Sequence, residues 1–171
     1  VNEKNPELGE DEKKRIARSV GIGAVKFADL SNDRRLDYVF DWAKMLSFEG
    51  DTAPYLQYAH ARICSIFTKV IDSEWKESVI QVNDEYELRL ARSLLTYRDS
   101  FESSARDLMP NRLCTHLLAL SSAFGSFYEN CPVLIAEDPK VRNSRLRLCD
   151  VTARVLKNGL SLLGIDAPER M

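Results

Sequence analysis

Apolar residues along this chain recur every three or four positions, the spacing that gathers them on one side of an α-helix. The pattern predicts a first helix over about 10–19 and a second over about 23–29, then a break at Leu30-Ser31-Asn32-Asp33, where Ser or Asn can cap the next helix. Leu36 to Leu46 reads as a third helix, with Leu36, Val39, Phe40 and Ala43 on one side. Phe48 to Asp51 interrupts it, and Gly50 suits a helix C-cap. Thr52-Ala53-Pro54 opens a helix that runs to about Ile71, since proline is tolerated in a first turn where its missing N–H has no partner. Asp84, with Glu87 three positions on, opens another as a variant capping box. Its expected stripe is Leu88, Ala91 and Leu95, then Phe101, Ala105 and Leu108, with a weak point between Thr96 and Asp99. From Pro110, Leu113, Leu117, Leu120, Phe124 and Phe127 form a core stripe ending at Cys131-Pro132. The last helix spans about 141–163, with Leu146, Cys149, Ala153, Leu156, Leu160 and Leu163 inward, and Gly164 closes it. No segment alternates as a strand does, and no repeat is present. The expected fold is all-α: a bundle of four or five long helices behind a short helical segment.

At 171 residues the chain can bury a core without staples. The hydrophobic share of 44% and charged share of 29% are those of a globular protein, and no run reaches the roughly 20 apolar residues of a membrane helix. The polar, acidic start, Val1 to Glu10, is neither a signal nor a transit peptide. The chain opens on Val rather than Met, so a piece of a longer protein is expected. Cys64, Cys114, Cys131 and Cys149 are far apart, form no CxxC pair and gain no ligand spacing from His60 or His116, which speaks against zinc. They sit among apolar residues, consistent with a reducing, cytosolic compartment. The net charge of −2 is unevenly spread. Residues 140–171 hold seven Lys or Arg against three Asp or Glu, whereas residues 51–109 hold seven against ten. A basic tail on an acidic body fits phosphate contact on one face, and equally a solvated helix face.

Catalytic chemistry is hard to assemble from these residues. Nothing marks His60 or His116 as a general base. Gly21-Ile22-Gly23 is too short to cradle phosphate and follows no strand. Asp33, Asp37 and Asp41, four apart, would line a helix face beside Arg34 and Arg35, a solvated ionic face rather than a metal site. More informative is the spacing of Tyr55, Tyr58 and Arg62, at i, i+3 and i+7. Two rings and a guanidinium along a ridge suit a single-stranded RNA loop, whose bases stack at roughly 1–3 kcal/mol each. The same spacing fits a core stripe with outward hydroxyls, and the neighbours Leu56, Ala59, Ile63 and Ile66 do not choose between the two. Tyr128, one position off the Phe127 stripe, is either exposed or a helix-end packing residue.

Three separated stretches, in order, resemble arginyl-tRNA synthetases. Asn32-Asp33-Arg34, the run 37–41 (DYVFD) and the run 50–62 (GDTAPYLQYAHAR) are similar to the junction between catalytic core and anticodon-binding domain. The runs 87–91 (ELRLA), 110–113 (PNRL) and 123–134 (AFGSFYENCPVL) resemble the helical DALR-type anticodon-binding domain. The tail, from Arg145 to the closing Pro168-Glu169-Arg170-Met171, matches the family's ending. The resemblance covers about residues 20–171. It departs from the family at His116, where an aromatic residue is common, and in the acidic stretch 99–107. It implies a junction over 1–50 and an anticodon-binding bundle over 51–171. The implied partners are arginine-accepting tRNA and an upstream catalytic domain of the same chain, with no membrane. The family's His-x-Gly-His and Lys-Met-Ser-Lys-Ser signatures belong upstream; Lys44-Met-Leu-Ser47 echoes the second only by coincidence. This piece is therefore expected to catalyse nothing and to hold no cofactor, while the parent enzyme uses ATP, with magnesium, to join arginine to tRNA. The implied tRNA contacts are Tyr55, Tyr58, Arg62, Tyr128 and Met171, the first three facing the tail that ends at Met171. Arg147, Arg154 and Lys157 are weaker backbone contacts. A helical protein-interaction module with no RNA role is the alternative. Cut from its catalytic domain, the chain is expected to expose an apolar patch along residues 20–48 and to self-associate.

Overall fold

A computed structural model describes residues 8–171. The elements run α1 (Glu10–Leu30), α2 (Trp42–Met45), α3 (Ala53–Phe67), a 3-10 turn (Glu74–Glu77), α4 (Glu85–Leu95), α5 (Tyr97–Asp107), α6 (Pro110–Asn130) and α7 (Pro139–Leu162), with no strand among the described residues. The all-α expectation holds, and several boundaries move for identifiable reasons.

The two helices expected over 10–29 are one. Gly21 and Gly23 each disfavour helix by about 1 kcal/mol, but Ile16, Val20, Ala24 and Phe27 bury one continuous face. Gly23 is also where α1 comes close to its neighbours: a Cβ there would stand 3.0 Å from the Gln57 amide and 3.1 Å from Ile165. Glu10, Asp11 and Glu12 complement the positive end of the helix.

The helix expected over 36–46 is reduced to the four residues of α2. Its supposed inner side has nothing to pack on: Leu36, Val39, Phe40 and Trp42 are exposed, Val39 to 90%. The three aspartates consequently share no helix face. Asp33 closes a turn on Arg35, whose guanidinium reaches it at 2.6 Å and holds its carboxyl down to about 2. Asp41 accepts from the backbone of Ala43 and Lys44 and caps α2. Gly50, with φ +78°, turns the chain into α3 rather than ending a helix. Thr52 then caps α3, accepting from Tyr55 N–H at 3.2 Å and donating to the Ser47 carbonyl. Helix α3 stops at Phe67, short of the expected Ile71, which is fully exposed.

Asp84 caps α4 as expected. The buried face, however, is rotated from the predicted one: of the expected stripe Ala91 packs on the core but Leu88, Leu95, Phe101 and Leu108 are exposed, while Glu87 and Leu90 are buried and Leu94 and Tyr97 pack on the core. The cause is Glu87. It accepts from Arg145 Nε at 2.6 Å and from the Asn83 N–H at 2.7 Å, so a carboxylate holds an inward position. Thr96 separates α4 from α5, at the weak point in the pattern.

Helix α6 is the central member, and its predicted stripe is buried throughout. Helix α7 begins two residues before the expected start, at Pro139, under an Asp138 cap. Its Leu146, Cys149, Leu156 and Leu160 are fully enclosed. Gly159 lets α7 approach α6, since a Cβ there would meet Leu117 at 2.5 Å. Gly164, with φ +67°, releases the chain into a tail over 165–171. Ile165 is buried, so one core runs from Phe27 in α1 to the tail.

Candidate functional site

Helix α3 carries two kinds of surface. Leu56, Ala59, Ile63 and Ile66 are buried in the core. Tyr58, Arg62, Ser65 and Thr68 succeed one another at helical spacing and line the floor and one side of an open groove, with small Ala61 between them. Glu169, Arg170 and Met171 form the facing side, and the groove encloses about 460 Å³. That lies within the ~300–1,000 Å³ span of ligand pockets. A larger cavity of about 780 Å³ opens between α1, the 31–52 segment and α6, and holds none of the predicted contact residues.

The structure brings Tyr58, Arg62 and Met171 together at this groove. Tyr58 is partly exposed and meets the edge of Phe48 at 6.3 Å between ring centroids. Arg62 lies over the Tyr128 ring, 4.5 Å from its centroid, a contact worth about 0.5–2 kcal/mol. Stacking occupies the guanidinium face and leaves its edge N–H donors available. Tyr128 rests in turn on Phe124 at 5.8 Å, so it supports Arg62 from α6. Tyr55 sits outside the groove lining, half-buried against the core, and burial together with nearby Glu129 pushes its phenol up. Met171 is partly buried against Leu8, Ile16 and Val20.

Lys157 reaches the groove wall through an exposed ion pair with Glu169 at 3.2 Å. Exposed pairs of this kind contribute about 0–1 kcal/mol, so the ammonium can exchange its carboxylate for a phosphate. Arg147 and Arg154 lie elsewhere on α7 and share Asp150, at 3.0 and 2.6 Å.

His60 and His116 are both buried. His60 Nδ1 donates to the Pro168 carbonyl at 2.9 Å, which fixes the tautomer and leaves Nε2 facing the Cys64 thiol at 3.7 Å. Burial holds both imidazoles below their ordinary value. Burial also pushes the thiols up, Cys114 and Cys149 to about 12 and Cys131 to about 11, so none is a ready nucleophile. Among the described residues no three His, Cys, Asp or Glu converge to hold a metal ion, and no helix is long and apolar enough to cross a membrane.

Sequence reasoning missed Ser65, Thr68, Glu169 and Arg170 as groove residues. The signal for the first two was legible, because Ser65 continues the Tyr58–Arg62 spacing along α3 and Thr68, the residue that caps its C-terminus, extends it, both with polar side chains.

Comparison with known proteins places the groove in context. Residues 56–171 match the DALR anticodon binding domain, and residues 1–42 match the catalytic domain of the class I tRNA synthetases for arginine. The chain is 50% identical over its whole length to an arginine–tRNA ligase of Vibrio campbellii and 49% identical to that of Proteus mirabilis, covering 30% of each. Among solved structures it is similar to the Thermus thermophilus arginyl-tRNA synthetase, with a TM-score of 0.92 and 37% identity, over all of this chain and 29% of that one. A Plasmodium falciparum arginyl-tRNA synthetase matches 92% of this chain and 28% of its own at a TM-score of 0.81 and 32% identity. The chain thus spans about 30% of the length of the curated relatives it matches.

Proposed function

Because this chain belongs to the DALR anticodon binding domain family, we propose that its α3–tail groove receives splayed bases of the anticodon loop of an arginine-accepting tRNA. The observation that carries this reading is the convergence of Tyr58 and Arg62 from α3 and Met171 from the tail on one groove. Tyr58 contributes an aromatic ring to the groove wall, the group on which a base would stack. Arg62, held on Tyr128, offers donors to a base edge or phosphate. Met171 encloses the base from the other side. Tyr55 supports the ridge from the core side, and Lys157, with Arg147 and Arg154 farther along α7, contacts the phosphate backbone.

Residues 1–50 serve as the junction following a catalytic domain, and residues 51–171 as the anticodon-binding bundle. The match at 56–171 supports the bundle, while the match of residues 1–42 to the catalytic-domain family makes the first part of the junction a continuation of that domain. The exposed Leu36, Val39, Phe40 and Trp42 supply an apolar surface for that catalytic domain to cover. The parent enzyme joins arginine to tRNA in the cytoplasm, using ATP with magnesium in its catalytic portion, and this bundle contributes recognition without chemistry.

Titration of labelled arginine tRNA against the chain and its Tyr55→Ala/Tyr58→Ala variant tests the reading. Affinity should fall with rising salt as phosphate contacts release counterions, and the variant should bind at least tenfold more weakly, about 1.4 kcal/mol. Equal binding by the two proteins would sink the stacking assignment, and preference for a protein over tRNA would favour an interaction module.

A further inference from the structure

The tail over 165–171 is neither helix nor strand, yet its course beside α3 is closely determined. Helix α3 buries two polar side chains among apolar neighbours, Gln57 at 0% exposure and His60 at 2%. Gln57 Nε2 donates to the Asp166 carbonyl at 2.8 Å, and His60 Nδ1 donates to the Pro168 carbonyl at 2.9 Å. Carbonyls two residues apart in an extended chain point the same way, and residues three apart on a helix share a face. The two donors therefore match the two acceptors in register, with the tail running alongside α3 in the same direction. Neither side chain lines the groove, but each directly precedes a residue that does, Tyr58 and Ala61.

The arrangement has a cost that packing alone does not explain. Gln57 Oε1 is buried and has no hydrogen-bond partner among the described residues. A buried acceptor left unpaired destabilises the fold, and an apolar side chain would fill the same space without it. What the amide adds is a fixed tail, tied through the same side chain to α1, since Nε2 also reaches the Ser19 carbonyl and hydroxyl at a longer 3.4 Å.

We propose that Gln57 and His60 are positioning residues for nucleic-acid recognition: they hold the backbone at Asp166 and Pro168 so that Arg170 and Met171 stand opposite Tyr58 and Arg62. This rests on the RNA-binding reading of the same groove.

The test uses the 171-residue chain with isotope-labelled methionine methyls, which report Met171 separately from Met45 and Met109. The Gln57→Leu/His60→Ala variant should shift the Met171 methyl toward its position in free methionine and leave Met45 and Met109 in place. Its affinity for an RNA hairpin carrying the anticodon arm should fall about tenfold. Restoring a donor near the Nδ1 position, as Gln57/His60→Asn, should recover both signals. An unmoved Met171 methyl in the folded double variant overturns the proposal, as does a moved methyl with unchanged RNA affinity. Should the double variant fail to fold, removal of residues 169–171 decides the matter, because a truncated chain binding RNA like the parent leaves the tail no role. Absence of hairpin binding by the unmodified chain overturns the functional reading, while the methyl signal still reports whether these two residues hold the tail.

Discussion

Ala61 shows how much a single methyl group decides. It is buried at the groove floor between Tyr58 and Arg62, where any larger side chain would rise into the space a base would occupy. An Ala61→Phe variant should lose most RNA affinity while its melting temperature changes by only a few degrees, because the added ring enters a groove rather than the core. Paired titrations and thermal melts check this. His60 makes a different prediction. Burial lowers its folded value below the ordinary 6.5, so the unfolded chain takes up a proton that the folded chain refuses. Its contribution is full above pH 6.5 and is lost as pH falls from there toward the folded value. His116, lowered by burial in the same sense, adds to the loss. Melting temperature should fall from pH 7 to pH 5, and His60→Asn, which does not titrate, should flatten part of that slope.

At the scale of elements, helix existence was legible from apolar spacing wherever the stripe had a partner, as in α6 and α7. It misled where the stripe had none: the 36–46 segment has helical spacing, but spacing is silent on whether a surface exists to receive it. The rotated face of α4 was hidden for another reason. No pattern rule assigns an inward position to a glutamate, and the contact that neutralises its charge comes from Arg145, 58 residues away. The same applies to the site, where Tyr58 and Arg62 were readable from one helix, while the wall built by Glu169 and Arg170 depends on how the tail returns. The Glu87–Arg145 pair also carries an energetic prediction. Arg145 further donates to the Pro132 carbonyl at 2.8 Å, tying α4, α7 and the loop between α6 and α7 together. Arg145→Ala strands a buried carboxylate and should destabilise the chain by about 3–5 kcal/mol in denaturant unfolding, whereas Glu87→Gln/Arg145→Met should recover much of that loss.

Taken whole, the described residues form a large core with a small satellite cluster at Leu8, Ile16 and Val20, and a bare apolar flank along the 36–42 segment. The apolar side chains at Leu36, Val39, Phe40 and Trp42 are open to solvent, with Phe40 and Trp42 packed edge to face on each other at 4.8 Å. An apolar patch of this kind on an isolated chain drives association. Sedimentation should show concentration-dependent self-association, and Val39→Ser/Trp42→Ser should suppress it without changing RNA affinity. The return of the tail has a consequence for how the protein is made. Lys26 donates to the Gly164 carbonyl across 138 positions, and Gln57 reaches Asp166 across 109. A ribosome delivers these partners in strict order, so α1 and α3 leave the exit tunnel long before the segment that covers them. Until residues 164–171 emerge, the buried amide and imidazole of α3 face water and the groove has only one wall, so a nascent chain stalled before that point has no two-walled groove to present.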